Sequence, residues 1–425
     1  MTSIRPHSSQ VRLPFELVGQ IVGYVPDAFT IRSCALTSGL WYSASRFAVF
    51  QVIKIKDVCM AVAFIALLES HPEIGIMVKE LSVCVAPPSE PKEAPWLRTL
   101  AVALPRVVPR LSVLRFVGWW EDGRNCTGEF LASLSLFTSV RKLSFQACSL
   151  PSSILTSVIS AFPNVTHLSL QTSISHRPRP RVAALPIPQN PPLTSVSFES
   201  SEDALYDDEV DNILGWTSDR PGSALKSAKI QILPFGLQAT GRFLESSGPC
   251  LEHLEISMSQ LSHYDLERLS EIIDLSRCQA LQTLDLRVLD SDRTLASSVI
   301  SCLLSRVDSP NMRKLTLHVN FASSDPSKDY ITMINGFEKG PLKDIPQVSF
   351  VYEGCLCIGT AERKLRKAFH QLDVRGVMSV ECICKGRCSS TGCDLSTSLN
   401  DEYNTYPFVL TDIITVLAVL DPFIL

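Results

Sequence analysis

One spacing recurs ten times along this chain: an apolar residue, two further residues, an apolar residue, one more, then a third apolar residue. It reads VKELSV (78–83), LSVLRF (111–116), VRKLSF (140–145), VTHLSL (165–170) and LTSVSF (193–198). It continues as LKSAKI (225–230), LEHLEI (251–256), LQTLDL (281–286), MRKLTL (312–317) and IPQVSF (345–350). Copies start roughly 25 to 33 residues apart, the range of solenoid repeats. The last two apolar positions alternate with polar ones, which is the period of a half-buried strand. Between the copies lie helix-patterned stretches such as SSILTSVISAF (152–162), YDLERLSEIIDLS (264–276), LASSVISCLLSRV (295–307), KDYITMINGF (328–337) and ERKLRKAFHQL (362–372). Strand, loop, helix and loop at a constant period predict a stack of parallel strands in which each unit is covered by its neighbours.

The fullest copies carry a longer signature. VRKLSFQACSL (140–150) matches L-x-x-L-x-L-x-x-N/C-x-L with Cys148 at the Asn/Cys position. LEHLEISMSQL (251–261) has Ser259 there, and MRKLTLHVNFA (312–322) has Asn320. The region resembles the leucine-rich repeat family in a degenerate form. An ordinary α/β domain with strand–helix alternation is the competing reading, but no Gly-rich phosphate loop follows any strand. The fold class is therefore α/β: a short helical head followed by a leucine-rich-repeat solenoid with parallel strands on the concave face and helices outside.

The head is LPFELVGQIVGY (13–24) and the segment after it. Leu13, Leu17, Ile21 and Tyr24 share one helical face, and Pro14 suits a helix start. Asp27 and Thr30 are candidate caps of a second helix running through Ile31, Cys34, Ala35 and Ser38, and Ser45–Phe50 reads as a third. Helices this short bury little by themselves. The combination resembles the F-box: Leu13-Pro14, Glu16-Leu17, Ile21, Asp27, Ala35 to Ser38, and Trp41, followed by F-x-x-I-x-I (50–55), as in fungal F-box proteins that continue into degenerate repeats. Gly39 departs from the pattern, where a basic residue is common, and is expected to loosen the end of the second helix.

The resemblance implies a substrate-recognition subunit of an SCF-type cullin–RING ubiquitin ligase, with the head docked on its Skp-type adaptor. The docking face is then Leu13, Pro14, Leu17, Ile21, Cys34, Leu36 and Trp41. A leucine-rich-repeat interaction scaffold outside any ligase is the alternative. In both readings a target protein lies against the outward strand positions, with Arg115, Lys142, His167, Lys229, His253, Glu255, Asp285, Arg287, Lys314 and His318 as its candidate contacts. His167, His253 and His318 lie repeats apart and read as surface residues, not metal ligands.

The expected organisation is a tail (1–12), the helical domain (13–55), the solenoid (56–385) and an atypical C-terminal tail (386–425). Of the 425 residues 45% are hydrophobic and 19% charged, with a net charge of −4, so no broad basic field is available for nucleic acid. The longest apolar runs, VCMAVAFIALL (58–68) and IITVLAVLDPFIL (413–425), are shorter than the roughly 18–20 residues of a membrane span. Fourteen cysteines without a signal-peptide pattern fit a reducing compartment, cytoplasm or nucleus. Cys382, Cys384, Cys388 and Cys393 lack the paired spacing of a zinc site and read as free thiols. No cofactor is expected. Neither a Walker loop, nor G-x-S-x-G, nor H-E-x-x-H is present, so the chain reads as a non-enzyme.

Overall fold

The structure is a computed structural model that describes residues 13–25, 27–85, 95–119, 126–148, 150–172, 191–200, 207–218, 225–288, 293–319, 340–352 and 358–382. Its frame is a single twelve-stranded sheet whose spatial order is the order of the chain, every neighbouring pair parallel. The strands are β1 (Val52–Ile55), β2 (Glu80–Cys84), β3 (Val113–Val117), β4 (Lys142–Cys148), β5 (His167–Thr172) and β6 (Ser195–Ser200). They continue as β7 (Ser227–Ile232), β8 (His253–Met258), β9 (Thr283–Val288), β10 (Lys314–Val319), β11 (Gln347–Tyr352) and β12 (Met378–Cys382). Sequential parallel strands need a crossover each time, and crossovers of one hand place all their helices on one face. This is the α/β leucine-rich-repeat-like solenoid that the spacing predicts.

All three apolar positions of every one of the ten hexamers are buried, from Val78, Leu81 and Val83 to Ile345, Val348 and Phe350. The register keeps the copies in line: Leu114 lies opposite Leu143 and Phe116 opposite Phe145, and Leu143 opposite Leu168. Aromatic contacts thread the stack, with Phe116 and Phe145 ring centroids 5.4 Å apart and Phe137 and Phe162 6.1 Å apart. Cys148 does what the Asn/Cys position requires: its buried thiol donates to the carbonyls of Phe116 (3.4 Å) and Gln146 (3.3 Å), tying one turn to the next. The backbone enters that turn through Ala147 at φ 49°, where the register shifts. Asn320 and the helix expected over 328–337 lie outside the described residues.

The sheet extends beyond the ten hexamers at both ends. β1 starts at Val52, within the segment ascribed to the head, and buries Ile53 and Ile55. Phe50, also buried, completes an eleventh copy of the spacing. β12 pairs with β11 through Val348–Met378 and Phe350–Val380. Its leading position holds Arg375, whose guanidinium donates to the Ile345 carbonyl at 3.3 Å.

Among the described residues three helices precede β1: α1 (Phe15–Gly23), α2 (Ala28–Ala35) and α3 (Gly39–Gln51). Pro14 stands at the N-cap of α1; Asp27 caps α2 by accepting from the Thr30 amide at 2.7 Å. Ser38 caps α3, so the third helix begins well before Ser45, and Gly39 opens that helix instead of loosening the second. Val18, Val22, Ile31, Ala44, Val49 and Phe50 join the same core as Ile53, Met60 and Phe64. The head is therefore the first layer of the stack. Two helices follow β1, α4 (Val58–Ser70) and α5 (Pro72–Met77), and Arg46 of α3 reaches Glu73 of α5 at 3.3 Å. Farther on come α6 (Pro95–Val107), α7 (Gly128–Leu134), α8 (Ser152–Ser160), α9 (Asp207–Ser218) and α10 (Leu237–Ser247). The last of the described helices are α11 (His263–Ile272), α12 (Arg293–Leu304), α13 (Ile358–Ala368) and α14 (His370–Val374).

Candidate functional site

Two surfaces answer to the sequence expectations. The first is the outer side of the head. α1 has two apolar stripes: Val18 and Val22, one turn apart, are sealed against the core, and the flanking stripe is left in water. Leu13, Leu17 and Ile21 are 41%, 45% and 44% exposed, and Leu36, at the end of α2, is 68% exposed. Pro14 is exposed as well, whereas Cys34 and Trp41 are half-buried, Trp41 packing on the core. Sequence reasoning missed Phe15, Phe29 and Leu40, all exposed around the same helices. It placed Tyr24 on the helical face without naming it as a contact, and Tyr24 is the most exposed of the group. A full i, i+3, i+4 analysis of α2 and α3 would have flagged Phe29 and Leu40 as apolar residues without an inward position.

The second surface is the face of the sheet turned away from the helices. Its side chains form rows across the strands: Glu255 lies opposite Asp285, and Lys142 opposite His167. Many of its charges are already partnered. Arg115 pairs with Glu80 at 3.2 Å. Lys229 bridges Glu199 (2.9 Å) and Glu255 (3.2 Å) across three strands. Burial alone would lower the Lys229 pKa, but the two carboxylates outweigh it and raise the value. His318 Nε2 lies 3.1 Å from Asp285 Oδ1, and His253 Nδ1 2.8 Å from Thr283 Oγ1. His167 is depressed by burial first and by the charge of Lys142 second. Arg287 shares this face, opposite Ser257 and His318. Lys142 and Lys314 have no carboxylate partner among the described residues, so they are cations this face offers unpaired.

Between α10 and α11 lies a third feature that the sequence did not signal, a cleft of about 320 Å³ lined by Arg242, Glu245, Glu271, Asp274 and Arg277. At its lining Gly241 lets α10 approach Ile272, whose carbonyl oxygen lies 2.7 Å from where a Cβ would stand. Among the described residues no group of three or more His, Cys, Asp or Glu could hold a metal ion. Eight cysteines there are free thiols; Cys384, Cys388 and Cys393 lie outside those residues. No described helix is long and apolar enough to cross a membrane.

No protein-family model matches the chain, and no curated protein does. Among solved structures, an internalin (inlF) from Listeria monocytogenes is similar at 12% identity, over 87% of this chain and 97% of that one, with a TM-score of 0.28. Superposition at that level adds nothing to what the strand order already establishes.

Proposed function

We propose that this chain is the substrate-recognition subunit of an SCF-type ubiquitin ligase, its head docking on the Skp-type adaptor and its open sheet face holding a target protein. The observation that carries the reading is the outer side of the head. The end layer of a solenoid ordinarily turns a polar face to water. This one turns Leu13, Phe15, Leu17, Ile21, Phe29 and Leu36 outward. The same helices spell the F-box-like combination of Leu13-Pro14, Glu16-Leu17 and Trp41.

Leu13, Leu17, Ile21 and Leu36 together leave uncovered the area of about two whole aliphatic side chains. Covering it contributes about 3–6 kcal/mol before the costs of association, enough to anchor an interface but not to make one alone. Catalysis lies with the other subunits of such an assembly, and this chain supplies proximity. The mixed, partly paired charges around Lys229 suit register and selectivity more than raw affinity.

The test is calorimetric titration of the full chain with a recombinant Skp-type adaptor. Leu17→Asp should weaken binding about a hundredfold or more, because a carboxylate is then buried without a partner. Unchanged binding by Leu17→Asp, or no binding by the wild type, rejects the ligase reading. Deleting residues 1–55 is a poor control: it removes β1 and strips Phe50 and Ile53 from the core.

A further inference from the structure

At the C-terminal end of the stack, α13 and α14 divide their side chains sharply. Leu365, Phe369 and Leu372 are buried, Phe369 lying 4.6 Å from the Phe350 ring of β11. Arg363, Lys367 and His370 point to solvent, with Lys364 half-exposed beside them and Arg375 exposed just beyond. The carboxylates of these helices do not offset them: Glu362 and Asp373 both engage Arg366, Glu362 at 2.9 Å. Among the described residues no carboxylate lies within ion-pair distance of Arg363, Lys364 or Lys367.

That arrangement is self-opposed. Arg363 and Lys367 stand four residues apart and Lys364 and Lys367 three, spacings at which like charges repel on a helix. The negative helix C-terminus eases Lys367 in the last turn but not Arg363 higher up. In a chain of net charge −4, three cations within about one helical turn, none with an ion-pair partner among the described residues, form a local basic patch.

We infer that the exposed face of α13 docks a carboxylate-rich segment of another protein, chiefly through Arg363, Lys364 and Lys367. A membrane surface fits worse, because basic amphipathic helices bind bilayers with their apolar side, and here that side is spent on Phe350 and the solenoid core. Nucleic acid fits worse too: phosphate tracking needs a basic field longer than one helix, and stacking needs exposed aromatics that this face lacks. Two lysines and one arginine, with flexible stems around a single turn, suit the irregular spacing of carboxylates along a peptide.

The experiment is fluorescence anisotropy of a labelled decaglutamate peptide titrated with the full chain. Saturable binding should weaken at least about tenfold between 25 and 300 mM NaCl. The triple substitution Arg363→Glu, Lys364→Glu, Lys367→Glu should weaken it at least about tenfold at the lower salt. The milder triple change to Gln, which keeps the side-chain stems, should fall between them and melt like the wild type. Absence of peptide binding, or binding by both variants equal to that of the wild type, overturns the inference. So does capture of phosphatidylserine vesicles or a DNA duplex, instead of the peptide, that depends on these residues. Sedimentation velocity showing self-association lost in the Gln variant would assign the face to a second copy of this chain, whose DDEVD (207–211) is acidic, and would overturn it equally.

Discussion

Gly75 offers the sharpest test of the packing that joins head to solenoid. It is buried in α5, and a Cβ built there would lie 1.8 Å from the Val107 carbonyl oxygen at the end of α6. The obstructing atom is backbone, so no rotamer change relieves it. Restoring even a 3.0 Å contact requires α5 and the end of α6 to part by about 1.2 Å. Helix propensity favours Gly75→Ala by about 0.8–1 kcal/mol. Separating a well-packed pair of elements costs about 1–3 kcal/mol or more, so destabilisation should win. Because α5 also carries Glu73, the partner of Arg46, amide hydrogen exchange should rise in α3 as well as in α5. Gly19→Ala, in α1 with nothing within 4 Å of its added methyl, is the matched control and should stabilise by about 0.4–1 kcal/mol. Thermal melts followed at 222 nm compare the two. A Gly75→Ala protein as stable as the wild type would refute the close approach of α5 to α6, and with it the rigid seat of the head.

Three further outcomes are expected. Asp265→Ala should cost about 0.5–2 kcal/mol in a chemical melt, because the carboxylate accepts from the Ser262 amide at 2.9 Å and hydroxyl at 2.6 Å in a capping box. Lys229→Met should change stability by less than about 1 kcal/mol at 150 mM salt, its side chain being 39% exposed, and the difference should vanish near 1 M NaCl. Burial pushes the Cys148 thiol up to about 11 and the Cys278 thiol up to about 12, whereas Cys59 and Cys250 are exposed. Mass spectrometry after brief alkylation should find adducts on Cys59 and Cys250 and none on Cys148 or Cys278. The two raised thiols also contribute stability that is complete below about pH 9 and declines as pH rises toward 11 to 12, since the unfolded chain ionises first.

The strands were readable because one simple rule, three apolar residues at fixed spacing, has one simple consequence, three buried side chains. Where a residue breaks the rule the element disappears from view. β12 was hidden because Arg375 takes the position that Ile345 fills one repeat earlier. β1 was hidden for the opposite reason: Phe50, Ile53 and Ile55 keep the spacing, but Phe50 lies in the last turn of α3, the other two follow directly on it, and all three read as part of the head. On the head, the stripe of Leu13, Leu17 and Ile21 was visible, yet α1 has two apolar stripes. Only packing decides that Val18 and Val22 face inward. Charge pairing on the open face lay further out of reach. Whether Lys229 meets Glu199 and Glu255 depends on the register of three strands joined by long connections, which spacing along one chain does not encode.

The shared core of head and sheet turns the protein into a ruler. Strands repeat at about 4.8 Å, so six steps from β1 to β7 span about 29 Å. Along that span every step is a hydrogen-bonded parallel strand pair. A body gripped at Leu17 and another resting on Lys229 would thus keep a constant offset and bearing, set by a count of strands and adjustable only by inserting or deleting whole repeats.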